Sequence, residues 1–99
     1  MGDYYILKDH EPIRVEGVEE WARQFEIMDR HVEQTMIGDV RVSTVFLGIN
    51  HNFGRGPPLL FETMIFGGVH DGWQERCSTW VEAEAQHVSA CAAVQGGLH

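Results

Sequence analysis

The run Asn50-His51-Asn52-Phe53-Gly54-Arg55-Gly56-Pro57-Pro58 concentrates side chains able to hold a ligand. Gly54 and Gly56 let a backbone come close to a bound group, and Pro57 and Pro58 stiffen the exit. His51 and Asn52 supply directional hydrogen bonds, Arg55 a planar fork that matches phosphate or carboxylate, and Phe53 a stacking face. Glu62 lies just beyond, inside the apolar run from Leu59 to Phe66. A carboxylate there needs a basic partner or an exposed edge, because unpaired burial is costly. Arg41 and Arg55 are the candidate partners. Glu62 then either accepts hydrogen bonds from a ligand's base or amine, or closes a salt bridge that holds the loop. The candidate ligand-binding set is His51, Asn52, Phe53, Arg55 and Glu62. The plainer alternative is a long hairpin connection made of ordinary turn residues.

Metal chemistry finds less support. His87 and Cys91 stand four apart and project side by side from a helix, but zinc takes at least three protein ligands, and His51 and His70 would have to converge from separate loops. The stripe Trp80-Ala83-His87-Cys91-Val94 instead makes His87 a helix-packing residue whose ring nitrogen is satisfied by a neighbour. No metal and no cofactor are expected. The chain also lacks a phosphate loop, a Gly-x-Ser-x-Gly elbow, a His-Glu-x-x-His helix and a Cys-x-x-Cys pair. It reads as a binding protein and not an enzyme, with a small hydrolase acting through His51 and Glu62 as a distant alternative.

Charge narrows the partners. Seven Lys plus Arg against 15 Asp plus Glu give a formal charge of −8, which disfavours nonspecific nucleic-acid binding, since phosphates need a basic surface. The same acidity suits a basic groove on another protein, and it also simply keeps a small protein in solution. Cys77 and Cys91 form no disulfide framework and indicate a reducing compartment. No apolar run approaches the ~20 residues of a membrane span. The opening Met-Gly has Ile6 where a myristoylation signal needs Ser or Thr.

The elements that must position these residues follow from periodicity. Tyr4 to Leu7 and Pro12 to Val15 read as a hairpin around a polar turn. Val18, Trp21, Ala22, Phe25 and Met28 fall on one helical face, predicting a helix over 17–30. Val32 to Ile37 and Val40 to Ile49 flank Gly38-Asp39, a hairpin signal. Leu59 to Phe66 is a further strand, and Val69 to Cys77 reads as an irregular connection. Thr79-Trp80-Val81-Glu82 fits a capping box that opens a second helix, running to about Val94 and stopped by Gly96-Gly97. The expected order is β-β-α-β-β-β-α, a single α+β domain over 1–99. Its architecture would be a two-layer sandwich with an antiparallel sheet of four to five strands and both helices on one face. Both faces of Val40 to Ile49 become apolar toward its end, which predicts double cover, by a helix and by the partner of a homodimer.

The stretch Val42-Ser43-Thr44-Val45-Phe46-Leu47-Gly48, His51-Asn52-Phe53-Gly54, Gly56-Pro57-Pro58-Leu59-Leu60-Phe61-Glu62-Thr63-Met64, Phe66-Gly67-Gly68 and Ser78-Thr79-Trp80 through His87 resembles a family of small, functionally uncharacterised bacteriophage and prophage proteins. The likeness spans roughly positions 4 to 88. It implies an accessory protein in the cytoplasm of an infected bacterial host. Its expected role is counter-defence, either anti-CRISPR-like blockade of an effector or sequestration of a nucleotide immune signal. The partner would accordingly be a host defence protein or a nucleotide messenger. A structural or virion-associated role is the alternative.

Overall fold

The computed structural model describes residues 3–96. Its elements run β1 (Tyr4–Lys8), β2 (Glu11–Val15), α1 (Val18–Ile27), β3 (His31–Ile37), β4 (Val40–Phe46), β5 (Phe61–Phe66), β6 (Gln74–Cys77) and α2 (Trp80–Gly96). The chain is α+β, as its periodicity predicts. It has one strand more than expected: β6 lies within the stretch that reads as an irregular connection. Its sequence Gln-Glu-Arg-Cys has no apolar alternation. It becomes a strand by pairing antiparallel with β5, and its charge is tolerable because it forms the edge of the sheet.

The strands divide between two sheets. One is the hairpin β1-β2; the other has the order β3-β4-β5-β6, all antiparallel. Both short hairpins are set by their turns. Gly38 at φ 61 opens the β3-β4 turn, the position where a II′-type geometry calls for glycine. Asp9 and His10 make the β1-β2 turn with φ of 52 and 69 and no glycine at all.

Pairing in the larger sheet places Val42 opposite Ile65, Thr44 opposite Thr63 and Phe46 opposite Phe61. These six are buried, and α2 packs on all four strands. Two apolar clusters result: Val40, Val42, Ile65, Ala90 and Val94 at one end, and Phe46, Leu60, Phe61, Cys77 and Ala83 at the other. The capping box predicted at Thr79 and Glu82 is formed: the Glu82 carboxylate accepts from the Ser78 and Thr79 amides, and the Glu82 amide donates to the Thr79 hydroxyl. Of the Gly96-Gly97 stop, Gly96 is the last residue of α2 and Gly97 lies outside the described residues, as do Met1 and Gly2.

Helix α1 packs on the hairpin β1-β2. The Trp21 indole donates to the Tyr5 carbonyl at 3.0 Å, and Trp21 stacks on Phe25 with centroids 4.8 Å apart. Phe25 then reaches Phe46 of the larger sheet and lies against Gly48, where a Cβ would come within 2.3 Å of the Phe25 ring. Gly48 also has φ 78, so both the space and the backbone demand glycine. The stretch after β4 turns away to meet the hairpin: the Tyr5 amide donates to the Gly48 carbonyl, and Ile49 bridges Tyr4. The apolar end of Val40 to Ile49 therefore receives part of its second cover from this chain's own hairpin.

Candidate functional site

The loop 50–58 is built by its asparagines. The Asn50 carboxamide oxygen accepts from the amides of Asn52 and Leu59, and the Asn52 side chain donates to the carbonyls of Arg55 and Pro57 while accepting from the Gly54 amide. The His51 Nδ1 donates to the Ile49 carbonyl at 2.8 Å. Asn52 and one nitrogen of His51 are thus spent on holding the loop's own shape. Phe53, 92% exposed, and Arg55, also exposed, stand at the tip.

Glu62 is placed elsewhere. Its carboxylate accepts from Arg76 Nε at 2.9 Å, across the β5-β6 pair. Neither expected partner takes that role: Arg41 lies over the Phe66 ring at 4.4 Å, and Arg55 is at the loop tip. The salt bridge ties two strands together instead of anchoring the loop. Arg76 was concealed because β6 itself was. Among the described residues no hydrogen bond or ion pair links Glu62 to His51.

His87, 2% exposed, lies at the centre of a buried polar chain. Its Nε2 meets the Thr35 hydroxyl and its Nδ1 the Thr44 hydroxyl, both at 2.8 Å; Thr44 meets Thr63 at 2.7 Å. The Thr63 hydroxyl donates to Gln86 Oε1, whose amide donates to the Arg76 carbonyl. Each hydroxyl has one hydrogen, which fixes the directions. Thr63 donates to Gln86, so it accepts from Thr44, and Thr44 must accept from a protonated Nδ1. Nε2 then accepts from Thr35. Burial holds the His87 pKa below its ordinary value, and the exposed Glu33 carboxylate, 3.9 Å from Nε2, pulls weakly the other way. Both ring nitrogens are occupied by hydroxyls, as befits a packing residue. Among the described residues no three His, Cys, Asp or Glu side chains group as metal ligands. Cys77 is likewise a core group: burial and the nearby Glu82 charge push its thiol up to about 11.

A concave surface lies where the two sheets meet. A cleft of about 660 Å³ opens between the β1-β2 turn, the end of the loop and the start of α2, a volume within the range of ligand pockets, roughly 300–1,000 Å³. Tyr5, Pro12, Leu60, Trp80 and the loop's Pro57 and Pro58 give it apolar and aromatic walls. Asp9, Glu11 and Glu84 bring three exposed carboxylates to it, and no Lys or Arg lines it. None of the three is in an ion pair or side-chain hydrogen bond among the described residues. The His10 imidazole lies flat on Trp80, centroids 3.8 Å apart and planes 2° from parallel. At the start of α2 the Ser78 and Thr79 amides are taken by the Glu82 carboxylate and the Glu82 amide by the Thr79 hydroxyl.

Sequence reasoning found the loop and missed the cleft. Of the loop, only its two prolines reach the cleft. The one available signal was Asp9-His10, a two-residue hairpin turn with His at the second position, where such turns ordinarily use Gly. Known protein families, curated proteins and solved structures give no match to this chain. No described helix is long and apolar enough to cross a membrane.

Proposed function

We propose that the protein acts by binding, and that its partner is a basic protein surface. The observation that carries this is the cleft: aromatic and apolar walls, three carboxylates without cationic partners among the described residues, and no basic residue in its lining. A phosphate would face three carboxylates there with no Lys or Arg to offset them, whereas a Lys or Arg side chain keeps its stem on the apolar wall and its charge at the rim. In the setting that the resemblance implies, this is a counter-defence protein of a bacteriophage or prophage, working in the host cytoplasm by blockade of a defence effector. Nucleotide sequestration loses ground, because the loop's Asn52 is engaged in holding the loop itself. The exposed tip, Phe53 and Arg55, then serves as an accessory contact. The homodimer belongs to the same proposal, through the sheet face opposite α2, where Met36 and Phe66 are exposed; light scattering at tens of micromolar should return twice the chain mass.

The test is retention on the immobilised protein of a CRISPR effector and, separately, of nucleotide messengers. The combined variant Asp9→Asn, Glu11→Gln, Glu84→Gln alters three exposed residues and should keep the melting temperature while losing the effector. If the wild type retains a nucleotide and loses it on Arg55→Ala, with the triple variant unaffected, the cleft reading is wrong and the loop is the site.

A further inference from the structure

We propose that the cleft is specific for arginine over lysine, and that His10 is a placeholder which the incoming guanidinium displaces from Trp80. This rests on the reading of the cleft as a site for a basic partner. The evidence is the stack itself. A planar nitrogen heterocycle lies on the Trp80 indole at 3.8 Å and 2°, which marks the position and orientation a planar ligand group would take. Guanidinium is the planar cation among protein side chains, stacks on indole faces and is weakly hydrated; an ammonium is a compact, strongly hydrated point charge with no face to offer. The N–H fork of an arginine lying on Trp80 would be directed at a rim that carries Asp9 and Glu84, where charge-assisted bonds are stronger than neutral ones.

His10 is suited to leave. It is exposed, and no hydrogen bond holds its ring among the described residues. It sits in a turn whose two central residues, Asp9 and His10, have φ of 52 and 69, a conformation that side-chain-bearing residues adopt at a cost. The stack is the visible compensation for that turn. Withdrawal of the ring uncovers a face of an indole that is also held by its edge contact with Phe61, 6.2 Å between centroids at 88°.

The probes are acetyl-Gly-Arg-Gly-amide and its lysine and citrulline counterparts, titrated against the full chain while the Trp80 indole N–H is followed by NMR. The arginine peptide should shift that signal and bind several-fold tighter than either of the others, citrulline having the plane without the charge and lysine the charge without the plane. His10→Asn removes the ring but keeps a residue that accepts positive φ, and it should tighten the arginine peptide roughly two- to tenfold, the worth of one aromatic pair. His10→Gly serves as the second variant if the first perturbs the turn. Glu84→Gln should weaken the same peptide several-fold. Equal binding of the lysine peptide, or a His10 variant that binds no tighter, overturns the guanidinium inference and leaves the basic-partner reading standing. Absence of binding by both cationic peptides sinks the two together.

Discussion

Thr44→Val tests the directed polar chain through the core. Valine keeps the shape of threonine, so no cavity opens, but the oxygen that accepts from His87 Nδ1–H and the hydrogen that serves Thr63 are both lost. The imidazole is 2% exposed and no water can replace the acceptor without rearrangement. One buried donor left unmade costs about 1–3 kcal/mol. At about 4–8 °C per kcal/mol for a domain of this size, a loss of ~2 kcal/mol lowers the melting temperature by roughly 8–16 °C. Calorimetry on the purified variant reads that shift. Thr44→Val combined with His87→Phe should be less destabilised than the sum of the two single variants, because the stranded donor is gone; the expected coupling is on the order of 1 kcal/mol. The ¹⁵N shifts of the ring supply an independent check, with Nδ1 protonated and Nε2 bare. A Thr44→Val protein melting within about 2 °C of the parent, or a ring protonated on Nε2, would refute the reasoning.

The same residue sets an acid limit: the native pKa of His87 lies below its ordinary value of 6.5, so at mildly acidic pH the unfolded chain binds a proton that the native state refuses. The stability this provides is complete above about pH 6.5 and is lost as pH falls through the native value, a trend that urea melts between pH 7.5 and 5 should show and His87→Phe should flatten. Gly48→Ala puts a methyl 2.3 Å from the Phe25 ring at φ 78 and should cost roughly 2–4 kcal/mol in denaturant melts, partly recovered by Phe25→Leu. With its pKa near 11, the Cys77 thiol should resist a disulfide reagent at pH 8 in the native protein, since about one molecule in a thousand carries the thiolate, and should react at once in denaturant.

Local pattern carried most of the fold. Helix α1, both tight hairpins, β5 and the capping box of α2 are written in spacing and turn chemistry, because each depends on residues a few positions apart. What escaped the sequence depends on partners distant along the chain. β6 has no strand signal of its own and exists because β5 offers it a ladder. The strands divide between two sheets instead of forming one, with an isolated bridge between Tyr4 and Ile49 where the two meet. The apolar run around Glu62 calls for a basic partner or an exposed edge, but Arg76 qualifies only once β6 brings it across the sheet. The same holds for the candidate site. The loop's polar residues look like ligand groups in isolation, and only the three-dimensional arrangement reveals that Asn50 and Asn52 are its internal scaffold. The cleft is assembled from Asp9, Pro57 and Trp80, which no local window holds together.

The join between the two sheets has a consequence for motion. Few backbone bonds cross it, among them Tyr5 to Gly48 and Asn50 to Asp3, so the hairpin with α1 forms a cooperative unit that opens at a lower free energy than the four-stranded sheet. The amides of Tyr5 and Asn50 should therefore exchange with solvent deuterium well before that of Ile65, whose hydrogen bond to the Trp73 carbonyl lies within the larger sheet. The cleft has walls on both sides of this join, with Tyr5 on one and Leu60 and Trp80 on the other. Any molecule seated between them must be released before the unit can swing away, which makes the exchange lifetime of those two amides a direct gauge of occupancy that requires no knowledge of the occupant.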